Sequence, residues 1–443
     1  MKMGRDMTRG SIARALVLFT VPLVLSGMLQ QIFNWVDAFI VGNVEGELAL
    51  GGIGATTALY NLFVLVITGF TSGLSVLAAQ RCGMGEEKKL NKLLFTFVLL
   101  LGGVFLVIAV LGIIFTRPIL KLLDTPENML DISAGYLRLI LVGVPFLAVY
   151  NTYSAILRGL GDSRAPFLSV LVCSVMNAGL DIVLVAGLRY GAAGAAAATA
   201  ISQGAMTVFI LLYTVKKYPT LRFRLRETRA GREETAEGSR FGLPPAIQSG
   251  VSSAGSILLQ RFMNGFGDQT VAAVTTAYRV DSVLLLPIIN FSSGVATVTA
   301  QNIGAGNLER AKRVLKTGSY MVAVISLCLS VLIFFAGEYV IAIFGLTPES
   351  VAIGKEFFRT VSTCYLVYGL AMTVKGYLEG TGDMVFSGLA SILSLMTRIL
   401  FSYAFVRWTG RTTIAYAEMF SWAVLLGLCL LRLGWKRSVR SER

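Results

Sequence analysis

The chain has 443 residues, of which 55% are hydrophobic and only 14% charged, and its mean hydropathy is +0.71. That balance excludes an ordinary soluble domain. A net charge of +14 with no histidine would suit a nucleic-acid binder, but the distribution of the charge points to a membrane instead.

Apolar runs of about 20 residues read as membrane-spanning helices. In chain order they lie near 15–41, 53–78, 92–115, 134–157, 167–187, 192–215, 243–265, 276–299, 316–337, 358–378, 386–406 and 412–433, twelve in all. The first is too long for a cleaved leader and lacks a small-residue cleavage site, so it reads as a retained helix. An outer turn is expected at Gly42. The sixth opens with GAAGAAAATA (Gly191 to Ala200), small residues that suit close packing in lipid. Between the sixth and seventh, Lys216 to Arg240 mixes eight basic residues with Glu227, Glu233, Glu234 and Glu237. This is the longest hydrophilic stretch and reads as a cytoplasmic linker.

Counted by alternate loops, 28 of the 39 Lys and Arg residues fall on one side, 10 on the other, and Arg398 lies inside a span. The positive-inside rule then places both termini in the cytoplasm. Five scattered cysteines, Cys82, Cys173, Cys328, Cys364 and Cys429, have no metal or redox spacing, so no disulfide is expected.

The chain repeats itself. GLSVLAAQRCGMG (Gly73 to Gly85) returns as GVATVTAQNIGAG (Gly294 to Gly306), and RGLGD (Arg158 to Asp162) as EGTGD (Glu379 to Asp383). The pairs Gln80 and Gln301, Gly83 and Gly304, Gly161 and Gly382, and Asp162 and Asp383 share a numbering offset of 221, while Pro22 and Pro244, like Pro126 and Pro348, differ by 222. This is a duplication of six spans, and an even number returns the chain to its starting side. The expectation is an all-α polytopic membrane protein of two six-helix bundles, related by a pseudo-twofold axis along the membrane normal. The domains are then a first lobe over 1–215, the linker over 216–240 and a second lobe over 241–443. The repeated glycines read first as turn residues.

Function is sought where the copies differ. An ionisable group inside a span costs roughly 2.5–3.5 kcal/mol and is a functional candidate by default. The first half has Asp37 in FNWVDAFIVGN and Asp181 in VMNAGLDIVLV, with Asn177 one helical turn before Asp181. Asp37 precedes Gly42 by five residues, Asp181 precedes Gly187 by six, and Thr199 follows Gly194 by five. At about 1.5 Å per residue these groups share one level, some 7–9 Å below the outer helix ends. Carboxylate, amide and hydroxyl oxygens suit a proton or Na+. Adding 221 takes Asn177 to Arg398 and Asp181 to Ser402, while Asp37 falls on Leu258 or Leu259. The second copy has lost the acids and gained a cation. Arg398 and Glu418, matched in depth, with Arg261 and Asp281 near them, form a candidate ion-pair network of the second lobe.

These residues resemble the multidrug and toxic compound extrusion (MATE) family, within the flippase superfamily that includes polysaccharide-lipid exporters. The resemblance rests on the duplicated twelve-span layout, AQRCGMG with AQNIGAG, RGLGD with EGTGD, and the set Asp37, Asn177, Asp181 and Thr199. In prokaryotic members an Asp in the first span, an N-x-x-x-D pair in the fifth and a Thr in the sixth form a first-lobe cation site. No acid lies around Ser252, Ser253 or Tyr368, where some members carry a second-lobe pair, so the resemblance favours the branch relying on the first lobe. It implies a Na+- or H+-coupled antiporter that exports organic, often cationic, compounds across the cytoplasmic membrane by alternating access. The expected partners are a small-molecule substrate and membrane lipid, with no nucleic acid, no cofactor beyond the coupling ion, and a monomeric state.

A flippase for lipid-linked oligosaccharides is the alternative, and would favour a strongly basic cavity where the candidates here are mixed in sign. An enzyme is not expected, since DDxxD, HExxH and GxSxG patterns are absent from the sequence. A channel fits a duplicated, dead-end architecture less well than alternating access does.

Overall fold

The computed structural model describes residues 6–222 and 231–441; within its helices the side chains of 34, 37–39, 41–50, 55, 87 and 437–441 lie outside that description. Among the described residues the structure is helical, without a strand. The physical reason is the solvent. In hydrocarbon every backbone N–H and C=O must be satisfied within its own segment, and an apolar run does so as a helix.

In the first half the helices are α1 (Ile12–Met84), α2 (Glu87–Ile114), α3 (Thr116–Leu122), α4 (Glu127–Gly159), α5 (Arg164–Asp181) and α6 (Gly191–Lys217), with a π-helical turn over Ile182–Gly187. The second half contains α7 (Arg232–Asn264), α8 (Asp268–Leu284), α9 (Leu286–Gly304), α10 (Leu308–Ala342), α11 (Pro348–Ser362), α12 (Tyr365–Gly380), α13 (Met384–Thr409) and α14 (Thr413–Ser441).

One boundary differs from the sequence reading: α7 begins at Arg232, within the segment read as a linker. The outer turn expected at Gly42 falls outside the described residues.

Eight of the described helical stretches are long and apolar enough to cross a membrane, or ten if each of two bent pairs counts as one span. The stretch Met384–Lys436 holds both α13 and α14, and α7 is too polar to qualify, carrying Gln248, Ser249, Ser252, Ser253, Ser256 and Gln260. Separating the first pair and adding α7 gives each of the twelve expected spans a helical counterpart. The chain is an all-α polytopic membrane protein.

Packing divides it into two units. The first takes Leu25–Ala246, and the second takes Met7–Val24 and Ile247–Arg443. The start of α1 therefore belongs to the second unit and the start of α7 to the first. The two changeovers, after Val24 and Ala246, fall at equivalent points of the two copies, just past Pro22 and the Pro244–Pro245 pair. The core of the first unit gathers Phe70, Leu74, Phe97, Leu137, Val144 and Leu157 among others. In the second, Phe19 and Leu16 from the chain's start pack with Phe291 and Val295.

The repeated motifs make the same joint twice. A Cβ at Gly159 would come within 2.8 Å of the Ser75 carbonyl oxygen and 2.6 Å of Ala78, and one at Gly380 within 2.6 Å of the Ala296 oxygen and 2.7 Å of Thr299. Ser75 and Ala296, like Ala78 and Thr299, are equivalent positions of the duplication, so glycine lets two helix backbones touch at the same place in both units. The turn reading survives one step later, at Gly161 and Gly382, whose φ values are +82° and +89°.

The motif aspartates clamp the last helix of each half. Asp162 Oδ1 accepts from the backbone N–H groups of Arg164 and Ala165 at 3.1 and 3.3 Å. Its Oδ2 accepts from Lys217 Nζ and the Tyr218 hydroxyl, both at 2.8 Å, and from the Tyr213 hydroxyl at 3.0 Å. In the second unit Asp383 accepts from Arg432 Nε at 2.8 Å and pairs with Lys436 Nζ at 2.9 Å. Burial works to raise the Asp162 carboxyl, but the bonds from Lys217 and Tyr218 outweigh it and hold the group below its ordinary value. A carboxylate so depressed stabilises the fold above the ordinary carboxylate range, and the contribution is lost as the pH falls through the folded value. Asp162→Asn is expected to cost about 1–3 kcal/mol at neutral pH. Thermal unfolding in detergent should show that gap closing as the buffer is taken below about pH 4; a gap that stays constant down to strong acid refutes the clamp.

Candidate functional site

The site of the first unit is built where α5 gives way to the π turn. Asn177 and Asp181, four residues apart, share one face of α5, and the wider hydrogen bonding begins immediately after Asp181. There Leu188 N–H bonds to Val183 O at 2.8 Å, five residues back, so the chain gains a residue and re-aims the end of the helix. Such turns are common at functional positions. Across from them, α6 opens with small residues, and Gly194 lets the Leu184 carbonyl come within 3.2 Å of where a Cβ would stand.

This brings Asn177, Asp181 and Thr199 together. With the Asn177 amide oriented to face the carboxylate, its nitrogen donates to Asp181 Oδ2 at 2.7 Å and its oxygen accepts from the Thr199 backbone N–H at 3.3 Å. The opposite orientation would set the amide oxygen against the carboxylate. All three are buried, at 1%, 0% and 6% exposure respectively. The fourth residue of the expected set, Asp37, has a side chain outside the described residues.

One turn further along α6 the polar lining continues. Gln203 donates through Nε2 to the Tyr60 hydroxyl at 2.6 Å, and Ser202 is fully buried beside it. The sequence reading passed over both residues. Their signal was polarity inside an apolar span, at helical spacing from Thr199.

Among the described residues no three His, Cys, Asp or Glu side chains gather in a metal-binding group. One carboxylate with amide and hydroxyl oxygens suits a proton or an alkali cation better than a transition metal.

In the second unit Arg398 donates through Nη2 to the Tyr278 hydroxyl at 2.7 Å and to Glu418 Oε2 at 3.0 Å. Asp281 lies in the same region and accepts from the Tyr365 hydroxyl at 2.5 Å. Arg261 stands apart. It is exposed in the last turn of α7 and joins no ion pair among the described residues, as a long cation at a helix end can reach water on its own. At the other end of α12, Lys375 pairs with Glu379 at 3.5 Å and lies 3.4 Å from Gln248.

A duplicated all-α membrane protein with a buried carboxylate, amide and hydroxyl inside its spans has the build of a secondary transporter. The MatE family model matches the chain twice, over residues 22–183 and 244–404, one match per copy. The chain belongs to this family, and is a multi-pass membrane transporter of the multidrug and toxic compound extrusion type. Among curated relatives it is similar to the probable multidrug resistance protein YpnP of Bacillus subtilis (strain 168), at 29% identity over 92% of each protein. It is also similar to the probable multidrug resistance protein YoeA of the same organism, at 29% identity over 97% of this chain and 96% of that protein. Among solved structures, a multidrug resistance MATE family transporter of the MOP superfamily in an outward-facing conformation matches with a TM-score of 0.92, 21% identity and 99% coverage of both chains. That last likeness establishes the fold.

Proposed function

We propose that this chain exports organic, often cationic, compounds across the cytoplasmic membrane in exchange for H+ or Na+, by alternating access, as a monomer with both termini in the cytoplasm. The observation that carries the reading is the buried contact between Asn177, Asp181 and Thr199 in the first unit. A proton or Na+ arriving from outside binds at the Asp181 carboxylate, with the Asn177 amide and the Thr199 hydroxyl beside it and Asp37 as the fourth expected member. Coupling then needs the ion to bind the two access states unequally, since a ligand shifts an equilibrium only by its differential affinity. The names of the Bacillus relatives support a drug-like cargo, and the excess of Lys and Arg in alternate loops supports the orientation.

The test is efflux of a fluorescent organic cation from everted vesicles, with the pH and Na+ gradients imposed separately. Transport driven by one gradient and abolished by collapsing it is the expected result. Indifference to both gradients, together with movement of a lipid-linked sugar, would instead favour a flippase.

A further inference from the structure

Two spans of the second unit are broken where their first-half counterparts run on. α8 and α9 bend by 41° across Leu285, and α11 and α12 bend by 51° across Thr363 and Cys364. The equivalent stretches Gly51–Met84 and Glu127–Gly159 are uninterrupted helix. An interrupted span frees backbone groups inside the membrane, and transporters place such breaks where something is bound or moved.

Both breaks meet at one hydrogen bond. Tyr365 is the first residue of α12 and Asp281 lies in the last turn of α8; the phenol donates to Asp281 Oδ1 at 2.5 Å. Tyr365 is fully buried and Asp281 is 5% exposed. The walls are aromatic, with the Tyr368 and Trp422 rings packed at 4.8 Å and Tyr278 against Phe357 at 5.6 Å.

The charges around this bond do not balance. Two buried carboxylates, Asp281 and Glu418, face one guanidinium. Arg398 is committed to Glu418 and Tyr278, while the hydroxyl bonded to Asp281 is neutral. The other ionisable groups on the packed elements are engaged elsewhere or exposed. Lys355 pairs with Glu338, Glu356 with Arg411, Arg359 lies over the Phe334 ring, and Arg279 is exposed. A buried carboxylate with no cation of its own costs several kcal/mol and neutralises if it can.

We propose that Asp281 is a second proton-binding site of this transporter, lying in the second unit and loading or releasing its proton as the two broken spans bend. The proton goes to Oδ2, leaving the Tyr365 bond to Oδ1 in place. Na+ fits poorly, because hard cations need several oxygen ligands and the lining here is phenol and indole rings. The site is separate from Asp181, so each can fail without the other.

Trp422 reports on it, since its ring centroid lies 6.1 Å from that of Tyr365. The probe is the full chain with Trp35, Trp408 and Trp435 replaced by Phe, purified in detergent, and its fluorescence is followed against pH and then against Na+ at constant pH. A one-proton transition is expected that persists in Asp181→Asn, vanishes in Asp281→Asn and does not respond to Na+. Tyr365→Phe, which keeps the ring and its packing, should displace the transition along the pH axis. A flat curve, a transition that survives Asp281→Asn, or one that follows Na+ overturns the assignment. An unchanged curve in Tyr365→Phe also overturns it, even if Asp281→Asn proves too unstable to purify.

Discussion

Asp181→Asn is expected to abolish ion-driven efflux while leaving a folded protein in the membrane. The replacement preserves volume and keeps an oxygen for the Asn177 amide, which now lies 2.7 Å from the carboxylate. It removes only the charge. Losing a charged partner in a buried setting costs about 1.5–3 kcal/mol, or roughly ten- to a hundredfold in ion affinity. Efflux driven by the coupling gradient should fall by at least that factor, while binding of the organic substrate in detergent persists. Thr199→Ala is the graded companion. It removes a neutral hydroxyl and should cost about 0.5–1.5 kcal/mol, an effect that hurts Na+-driven transport more than H+-driven transport, because a proton needs no coordination shell. Reconstituted vesicles with separately imposed gradients measure both variants. Full ion-driven efflux by Asp181→Asn would remove the first-unit site from the mechanism.

The largest structural effect is expected from Gly159→Val and Gly380→Val. At each position the atoms in the way include backbone, the Ser75 oxygen at 2.8 Å and Ala79 nitrogen at 2.9 Å in one unit and the Ala296 oxygen at 2.6 Å in the other. Backbone atoms cannot rotate aside, so the helices must separate along the joint. Overpacking usually costs about 1–3 kcal/mol, and here the added branch comes on top of an obstructed Cβ, so the cost should reach or exceed that upper value. Both variants should show a lowered unfolding temperature and loss of the monodisperse peak on size exclusion, to similar extents, because the contact is the same in both copies. Gly103→Val in α2 is the control, since nothing lies within 4 Å of its Cβ position. Gly159→Val unfolding at the wild-type temperature would mean that the motif glycines serve the turn alone.

The glycine joint shows how far a sequence can be read. The repeat of RGLGD as EGTGD announced that these positions mattered, and the turn at Gly161 and Gly382 followed from glycine's access to positive φ. That Gly159 and Gly380 admit a neighbouring helix did not follow, because the neighbour lies two membrane spans earlier in the chain. The aspartates of the same motifs had no visible partners for a similar reason. Lys217, Tyr213 and Tyr218 reach Asp162 only after α6 has run back to the end where α4 finishes.

The candidate site divides in the same way. Asn177, Asp181 and Thr199 were legible because polar groups inside apolar runs are few, and counting residues from the outer turns put them at one depth. Gln203 and Tyr60 were missed, being ordinary polar side chains until α6 sets them face to face. The π turn after Asp181 left no trace in composition. Asp281 was placed in an ion-pair network on polarity and depth, yet its bonded partner is the phenol of Tyr365.

What the sequence alone determined is what local chemistry in a bilayer compels: helical spans of membrane length, their duplication, and the rarity of charge within them. Free energies of transfer act residue by residue, so a linear string is enough to read them. Tertiary structure alone decided which backbones touch, where α8 gives way to α9 and α11 to α12, and that the starts of α1 and α7 pack with the other unit. Between apolar helices in an apolar solvent, burial discriminates little, and shape and the pairing of the few polar groups choose the partners. Those properties exist only once distant segments have met.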